Sequence, residues 1–329
     1  MTPSLLRPQA YLSNKEVLEL AQQAPNILRN NPKAFSTSPL VSLFTASETP
    51  ELWMIYENLL IACLRTGDDQ SAFEILERLI QRFGGENERI MALKGLAKEA
   101  KAANNAELEA ILKEYDSLLS GQAESETNIP VAKRRIALLK SIGRKSEAIA
   151  SLVKLLDYSP TDAEGWSELS DLYLSQGLYA QAIYALEEVL VLQANSWNMH
   201  ARLGEILYMA ATELADGSSN RYFAESVKRF CRSIELCDDY LRGYYGLKQV
   251  TGTLLSDPKL LKPSKQADGE GMALPPKKTL EALNEKATAK LGEIVRRYST
   301  GDVHWQGYDA AEIEATRQLL AKDEAQVVR

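Results

Sequence analysis

The sequence predicts an all-α protein, a tetratricopeptide-repeat superhelical solenoid closed by a C-terminal capping helix. Three observations predict it. Ala, Leu, Glu and Lys abound while β-branched runs bounded by turn residues are scarce, which favours helix over sheet. The 329 residues are 45% apolar and 25% charged, the balance of a chain that buries a core. Most informative is a set of large, small and Gly residues that returns with the period of about 34 expected of helix–turn–helix repeats.

The clearest unit spans 163–196. Trp166, Leu169 and Tyr173 lie on its first helix, Gly177 at the turn, and Tyr179 and Ala182 on its second helix. The pattern is a packing pattern. Ala182 is small because the two helices cross closely there, and Gly177 ends the first helix where a left-handed residue costs little. Shifting back one period places Gly143, Ala148 and Pro160 at turn, crossing and helix end, which defines a unit at 129–162. Asp162 then supplies the N-cap of the next helix.

Tyr56, Leu59, Cys63, Gly67, Ala72 and Leu76 keep the same offsets and place a unit at 53–86. After the clearest unit, His200, Leu203, Gly204 and Leu207 fit a first helix. The matching second helix comes about ten residues late, as Phe223, Ser226, Phe230 and Ser233, after a polar loop over 215–221. Residues 87–120 read as helical without a unique phase, followed by a polar break at 121–127. Tyr244, Tyr245, Gly246 and Leu247 open a closing helix that ends near Ser256. The array therefore runs over 51–256 as five helix pairs and a closing helix. No pair can bury its own apolar face, so stability comes from stacking.

The ends depart from the period. Residues 1–50 form an extension with one helix, Asn14 to Ala24, before a Pro-punctuated stretch. Residues 257–278 hold four prolines, two glycines and five lysines and read as a linker. Residues 279–329 form a helical cap and tail. Leu280, Leu283, Ala287, Leu291, Ile294 and Tyr298 make one apolar stripe over 279–298, to be covered by packing back on the array or by a partner.

The net charge of −7 argues against a general nucleic-acid binder. Cys63, Cys231 and Cys237 match neither a disulfide framework nor the spacing of a zinc site, and read as buried thiols in a reducing compartment. The first eleven residues lack the apolar run of a signal peptide, and the longest uncharged stretch, Leu172 to Leu186, is too short to span a bilayer. His200 sits where Trp166 sits in the preceding unit and reads as packing, and His304 as exposed. Gly143-Arg-Lys-Ser lacks the strand and upstream Gly of a phosphate loop. No catalytic, metal or cofactor site is expected, and the chain reads as a binding protein.

In such an array the first helix of each pair lines the concave face. Reading the inward positions gives a partner-binding groove of Glu57, Lys133, Lys140, Glu164, Ser167, Asp171, Asn198, Glu205 and Tyr208. Lys133, Arg134 and Lys140 make a basic part and Glu164, Asp171 and Glu205 an acidic part, suited to an extended polypeptide with charges of both signs. The Lys–Asn pair with which chaperone-binding repeats grip a C-terminal carboxylate is missing: the corresponding pairs are Glu57/Ile61, Lys133/Ala137 and Ser167/Asp171.

Several segments resemble one family. Glu51-Leu-Trp-Met-Ile-Tyr-Glu-Asn-Leu-Leu-Ile-Ala, with Gly67 and Gln81-Arg-Phe after it, resembles the first repeat of subunit 2 of the endoplasmic reticulum (ER) membrane protein complex. Gly165-Trp-Ser-Glu-Leu-Ser-Asp-Leu-Tyr-Leu, the late helix Lys228-Arg-Phe-Cys-Arg-Ser-Ile-Glu-Leu, and Gly243-Tyr-Tyr-Gly-Leu fit the same family. The resemblance covers about 51–255 and includes the displaced helix. It implies a non-catalytic scaffold, peripheral on the cytoplasmic face of the ER membrane and without a span of its own. Such a scaffold organises the cytosolic parts of other subunits, notably subunits 3 and 5, of an insertase for tail-anchored and multipass membrane proteins. The alternative is a soluble adaptor or co-chaperone that binds extended peptide segments.

Overall fold

A computed structural model describes residues 4–6, 12–30, 50–120, 128–214, 219–261, 273–305 and 307–327. The expected polar break at 121–127, residues 215–218 of the expected 215–221 loop and residues 262–272 of the expected 257–278 linker lie outside the described residues. Among the described residues all regular structure is helical. The chain divides into two compact units, Met1–Tyr158 and Ser159–Arg329.

In the first unit, α1 (Asn14–Ala21) and α2 (Ala24–Asn30) stand where one helix is expected. Ser13 starts α1 through a capping box, accepting from the Glu16 amide and donating its own amide to the Glu16 carboxylate at 2.8 Å. The chain breaks at Gln22 and Gln23, and Pro25 sits in the first turn of α2, where its missing N–H costs nothing. Proline therefore opens the second helix here; it does not close the first.

Three helix pairs follow: α3 (Pro50–Thr66) with α4 (Asp69–Phe83), α5 (Glu88–Lys101) with α6 (Asn105–Ser120), and α7 (Ile129–Ser141) with α8 (Lys145–Tyr158). Asp68, Asn87 and Asn128 accept backbone amides at the starts of α4, α5 and α7. Gly67 and Gly143 take positive φ at 75° and 82° in the turns within their pairs. Leu20, Ala24, Tyr56, Leu59, Cys63, Ile75 and Leu79 form one core, so α1 and α2 pack on the first pair. Burial pushes the Cys63 thiol up to about 12, which keeps it protonated.

The second unit opens with α9 (Ala163–Leu174) and α10 (Tyr179–Leu192), capped by Asp162 and turned at Gly177, φ 71°. The helices cross where Ser170 meets Ala182, and the buried Ser170 hydroxyl donates to the Ala182 carbonyl at 2.8 Å. In the next pair, α11 (Trp197–Glu213) and α12 (Ser219–Leu236), the same crossing recurs with donor and acceptor exchanged. Ser226 on the second helix donates to the Gly204 carbonyl on the first, at 2.7 Å. The late helix thus docks in register with the regular ones. It begins at Ser219, so residues 219–221, expected in the loop, are its first turn.

Phe230 of α12 lies between α11 and α13 (Leu241–Ser256). A Cβ on Gly204 would meet its ring at 3.1 Å, and one on Gly246 at 2.1 Å. Beyond α13, α14 (Lys277–Ser299) buries Leu280, Ala287, Leu291 and Ile294 completely in a core shared with Tyr244, Leu247, Val250 and Leu254 of α13. The apolar stripe is covered by this chain. Asn284 donates to the Lys248 carbonyl at 3.2 Å and to the Thr251 hydroxyl at 2.9 Å, and the buried Lys248 ammonium donates to Thr288 at 2.8 Å. Lys290 then ties α14 to the turn before α13 through Asp239 at 2.9 Å and Asp238 at 3.2 Å. A short 3-10 turn (Val303–Trp305) leads into α15 (Ala310–Val327), a helix that the tail reading misses.

His200 is buried at the start of α11, as packing predicts, and His304 is exposed. The His200 Nε2 faces the Ala194 carbonyl at 3.0 Å, so it carries the proton, and Nδ1 is buried without a partner. Burial, with Arg229 and Arg232 nearby, lowers its pKa.

Gly246→Ala should destabilise the protein by about 1–3 kcal/mol, because the new methyl overlaps an immobile ring. Gly292→Ala, whose Cβ meets nothing within 4 Å, should instead gain about 0.5–1 kcal/mol. Urea unfolding of both variants measures the contrast. For His200 the folded pKa lies below the unfolded value of about 6.5, so the unfolded chain binds the proton first. Its contribution is present above about pH 6.5 and lost as pH falls below it. The urea midpoint of His200→Phe should therefore be flatter than that of the wild type between about pH 6.5 and 5.

Candidate partner-binding face

The first helices of successive pairs carry the residues expected to meet a partner. The structure places Glu57 half-buried on α3, where Arg89 of α5 pairs with it. Arg134 of α7 pairs with Glu99 of α5, which also accepts from the buried Tyr115 hydroxyl at 2.5 Å. In the second unit Arg202 of α11 donates to Asp171 of α9 at 2.8 Å and to Glu205 one turn on at 2.9 Å. The pattern recurs. A carboxylate on one first helix meets an arginine on the first helix of the next pair, 31 to 35 residues later.

These pairs hold neighbouring repeats together and set the electrostatics of the face. Burial works against the Arg202 charge, but Asp171 and Glu205 outweigh it and raise its pKa. Arg202 and Asp171 are 37% and 56% exposed, so the pair contributes at most about 0.2–1 kcal/mol. Glu99 is only 11% exposed and Arg134 27%, which makes that pair the more costly to break.

Of the other expected residues, Lys133 is half-buried and Lys140 exposed on α7. Glu164 is exposed and Ser167 half-buried on α9, and Asn198 is exposed in the first turn of α11. Tyr208 is half-buried on α11, its hydroxyl 3.0 Å from that of Thr253 on α13. The inward-position reading misses Arg89 and Arg202. Both are long side chains on flanking positions that reach across to a neighbouring helix, and the 31-residue spacing from Asp171 to Arg202 is a signal that could have found the second.

Around Tyr208 the face opens into a cleft of about 420 Å³. Glu205, Tyr208 and Met209 of α11, Leu241, Arg242, Tyr245, Gly246 and Gln249 of α13, and Glu312 and Ala315 of α15 line it, with Phe230 as its floor. Arg242 pairs with Glu312 at 2.6 Å, which raises the arginine pKa further. The sequence reading missed this cleft because most of its wall comes from α13 and α15. The thiols of Cys63, Cys231 and Cys237 are free; Cys63 is buried and the other two are half-buried, less enclosed than expected. Among the described residues no cluster of His, Cys, Asp and Glu could hold a metal ion, and no helix is long and apolar enough to cross a membrane.

Residues 91–228 match the family model described as the EMC2 TPR-like repeat domain. The TPR repeat protein oca3 of Schizosaccharomyces pombe is 34% identical over 224 residues, 66% of this chain and 75% of the relative. ER membrane protein complex subunit 2-A of Xenopus laevis is 31% identical over 253 residues, 77% of this chain and 75% of the relative. Subunit 2 of the same complex from Saccharomyces cerevisiae is 26% identical over 199 residues, 58% of this chain and 66% of the relative. With helix pairs in series, a displaced second helix in the fifth pair and these relatives along most of its length, the chain belongs to the ER membrane protein complex subunit 2 family of tetratricopeptide-repeat proteins.

Proposed function

We propose that this protein is a non-catalytic scaffold subunit of the ER membrane protein complex. In this reading the repeat array over 51–256 organises the cytosolic parts of membrane-embedded subunits, with subunits 3 and 5 as its partners. The assembled complex is an insertase for tail-anchored and multipass membrane proteins, and the chain is peripheral on the cytoplasmic face of the ER. The observation that carries the proposal is the similarity to subunit 2 relatives along the ordered series of repeats. Physical support comes from the first-helix faces. Glu57–Arg89, Glu99–Arg134 and Asp171–Arg202 brace successive repeats, so each unit can present a face whose shape is set before a partner arrives. Glu57, Lys133, Lys140, Glu164, Ser167, Asp171, Asn198, Glu205 and Tyr208 are the partner contacts in this reading.

Two measurements test it. Solubilised in mild detergent, the native chain should be recovered in a large complex with integral membrane proteins. Recovery as a free monomer with none of them sinks the proposal. Charge reversal at Lys133 and Lys140 should lower partner recovery while circular dichroism shows the array still folded, and unchanged recovery would remove these two lysines from the contact surface.

A further inference from the structure

We propose that the cleft between α11, α13 and α15 is an anchor site for a basic, extended segment of a partner polypeptide. The cleft takes one bulky apolar side chain of that segment among Tyr208, Met209, Leu241 and Tyr245. The inference rests on the scaffold reading and names the chemistry of what one part of the face binds.

The lining is built for such an anchor. Met209 is 39% exposed, a flexible thioether facing solvent at the edge of a cleft with two tyrosines. Methionine adapts to the shape of an apolar guest, and tyrosine offers a large apolar body with a polar tip. The Tyr208 tip is already tied to Thr253, which holds its ring in place before binding. At Gly246 the missing side chain lets the buried Phe230 ring pack directly beneath the cleft. A cleft of about 420 Å³ lies within the size range of ligand pockets.

Helix α15 completes the cleft. Ile313 and Thr316 are fully buried beneath it, and Glu312 is fixed to Arg242. This seating brings Ala315, a small residue, into the wall of the cleft. A larger residue on this exposed helical position would fill it.

Charge selects the flanks of the guest. Along the face and cleft three carboxylates, Asp171, Glu205 and Glu312, share two guanidiniums, Arg202 and Arg242. Arg202 serves both Asp171 and Glu205, so the carboxylates outnumber the guanidiniums. The local excess is negative, so lysine or arginine beside the anchor gains attraction that an acidic segment forfeits. A second copy of this chain, with its net charge of −7, is a poor match.

The test uses the full chain and a fluorescein-labelled peptide with one Phe set among lysines, read by anisotropy. Binding should weaken at least tenfold when the Phe is replaced by Ala or the lysines by glutamates. Ala315→Trp should weaken it as much, and Ala321→Trp, on an exposed position of α15 outside the cleft lining, should not. Absence of binding by the Phe peptide, equal binding of the Ala peptide, or full binding by Ala315→Trp would each overturn the proposal. Partner recovery from membranes is measured on the same variants. Failure in the peptide assay with partners still recovered overturns the cleft alone, whereas loss of partners from the wild type overturns the scaffold reading.

Discussion

Everything in the fold depends on how closely the two helices of a pair can cross. At Ser170 and Ala182, and again at Gly204 and Ser226, side chains are reduced to a methyl, a hydroxymethyl or a hydrogen, and a serine hydroxyl reaches the carbonyl of the facing helix. A carbonyl already used within its helix has a second lone pair, so the contact adds a bond without breaking one. Close crossing fixes the angle of the pair, which fixes where the next pair can stack. The aromatic ring of Phe230, wedged over Gly204 and Gly246, carries that geometry from one pair to the next.

The charged residues on the first helices follow from the same stacking. Once adjacent first helices lie side by side, a carboxylate on one and an arginine on the next can meet, as Glu57 meets Arg89 and Asp171 meets Arg202. Each link is weak where it is exposed, yet within each unit they tie the first helices of successive pairs together. Near the C-terminal end the same logic gives a different result. Arg242 pairs forward with Glu312 on α15, and the space between them and Tyr208 remains open.

Much of this is legible in the residues. Gly177 and Gly143 mark turns because only a residue without Cβ is at ease at positive φ, and Asp162 marks a helix start because its carboxylate satisfies a free amide. Phe223, Ser226 and Phe230 place the displaced helix because the packing pattern survives a longer loop. Other features are not legible. The break between α1 and α2 carries no glycine, and Pro25 reads equally as a stop or as a first turn. Helix α15 has a weak apolar stripe, with Ile313 and Thr316 buried among its described side chains, so nothing in its sequence separates it from a solvated tail.

The periodic spacing of large, small and Gly residues by itself determined most of the helix pairs and their turns, because those features are local packing and backbone constraints repeated along the chain. Tertiary structure alone decided which charges pair, that α13 covers the apolar stripe of α14, and that α15 walls a cleft. Those outcomes join residues far apart in sequence, such as Arg242 and Glu312, whose meeting is set by how helices stack and not by any spacing between them.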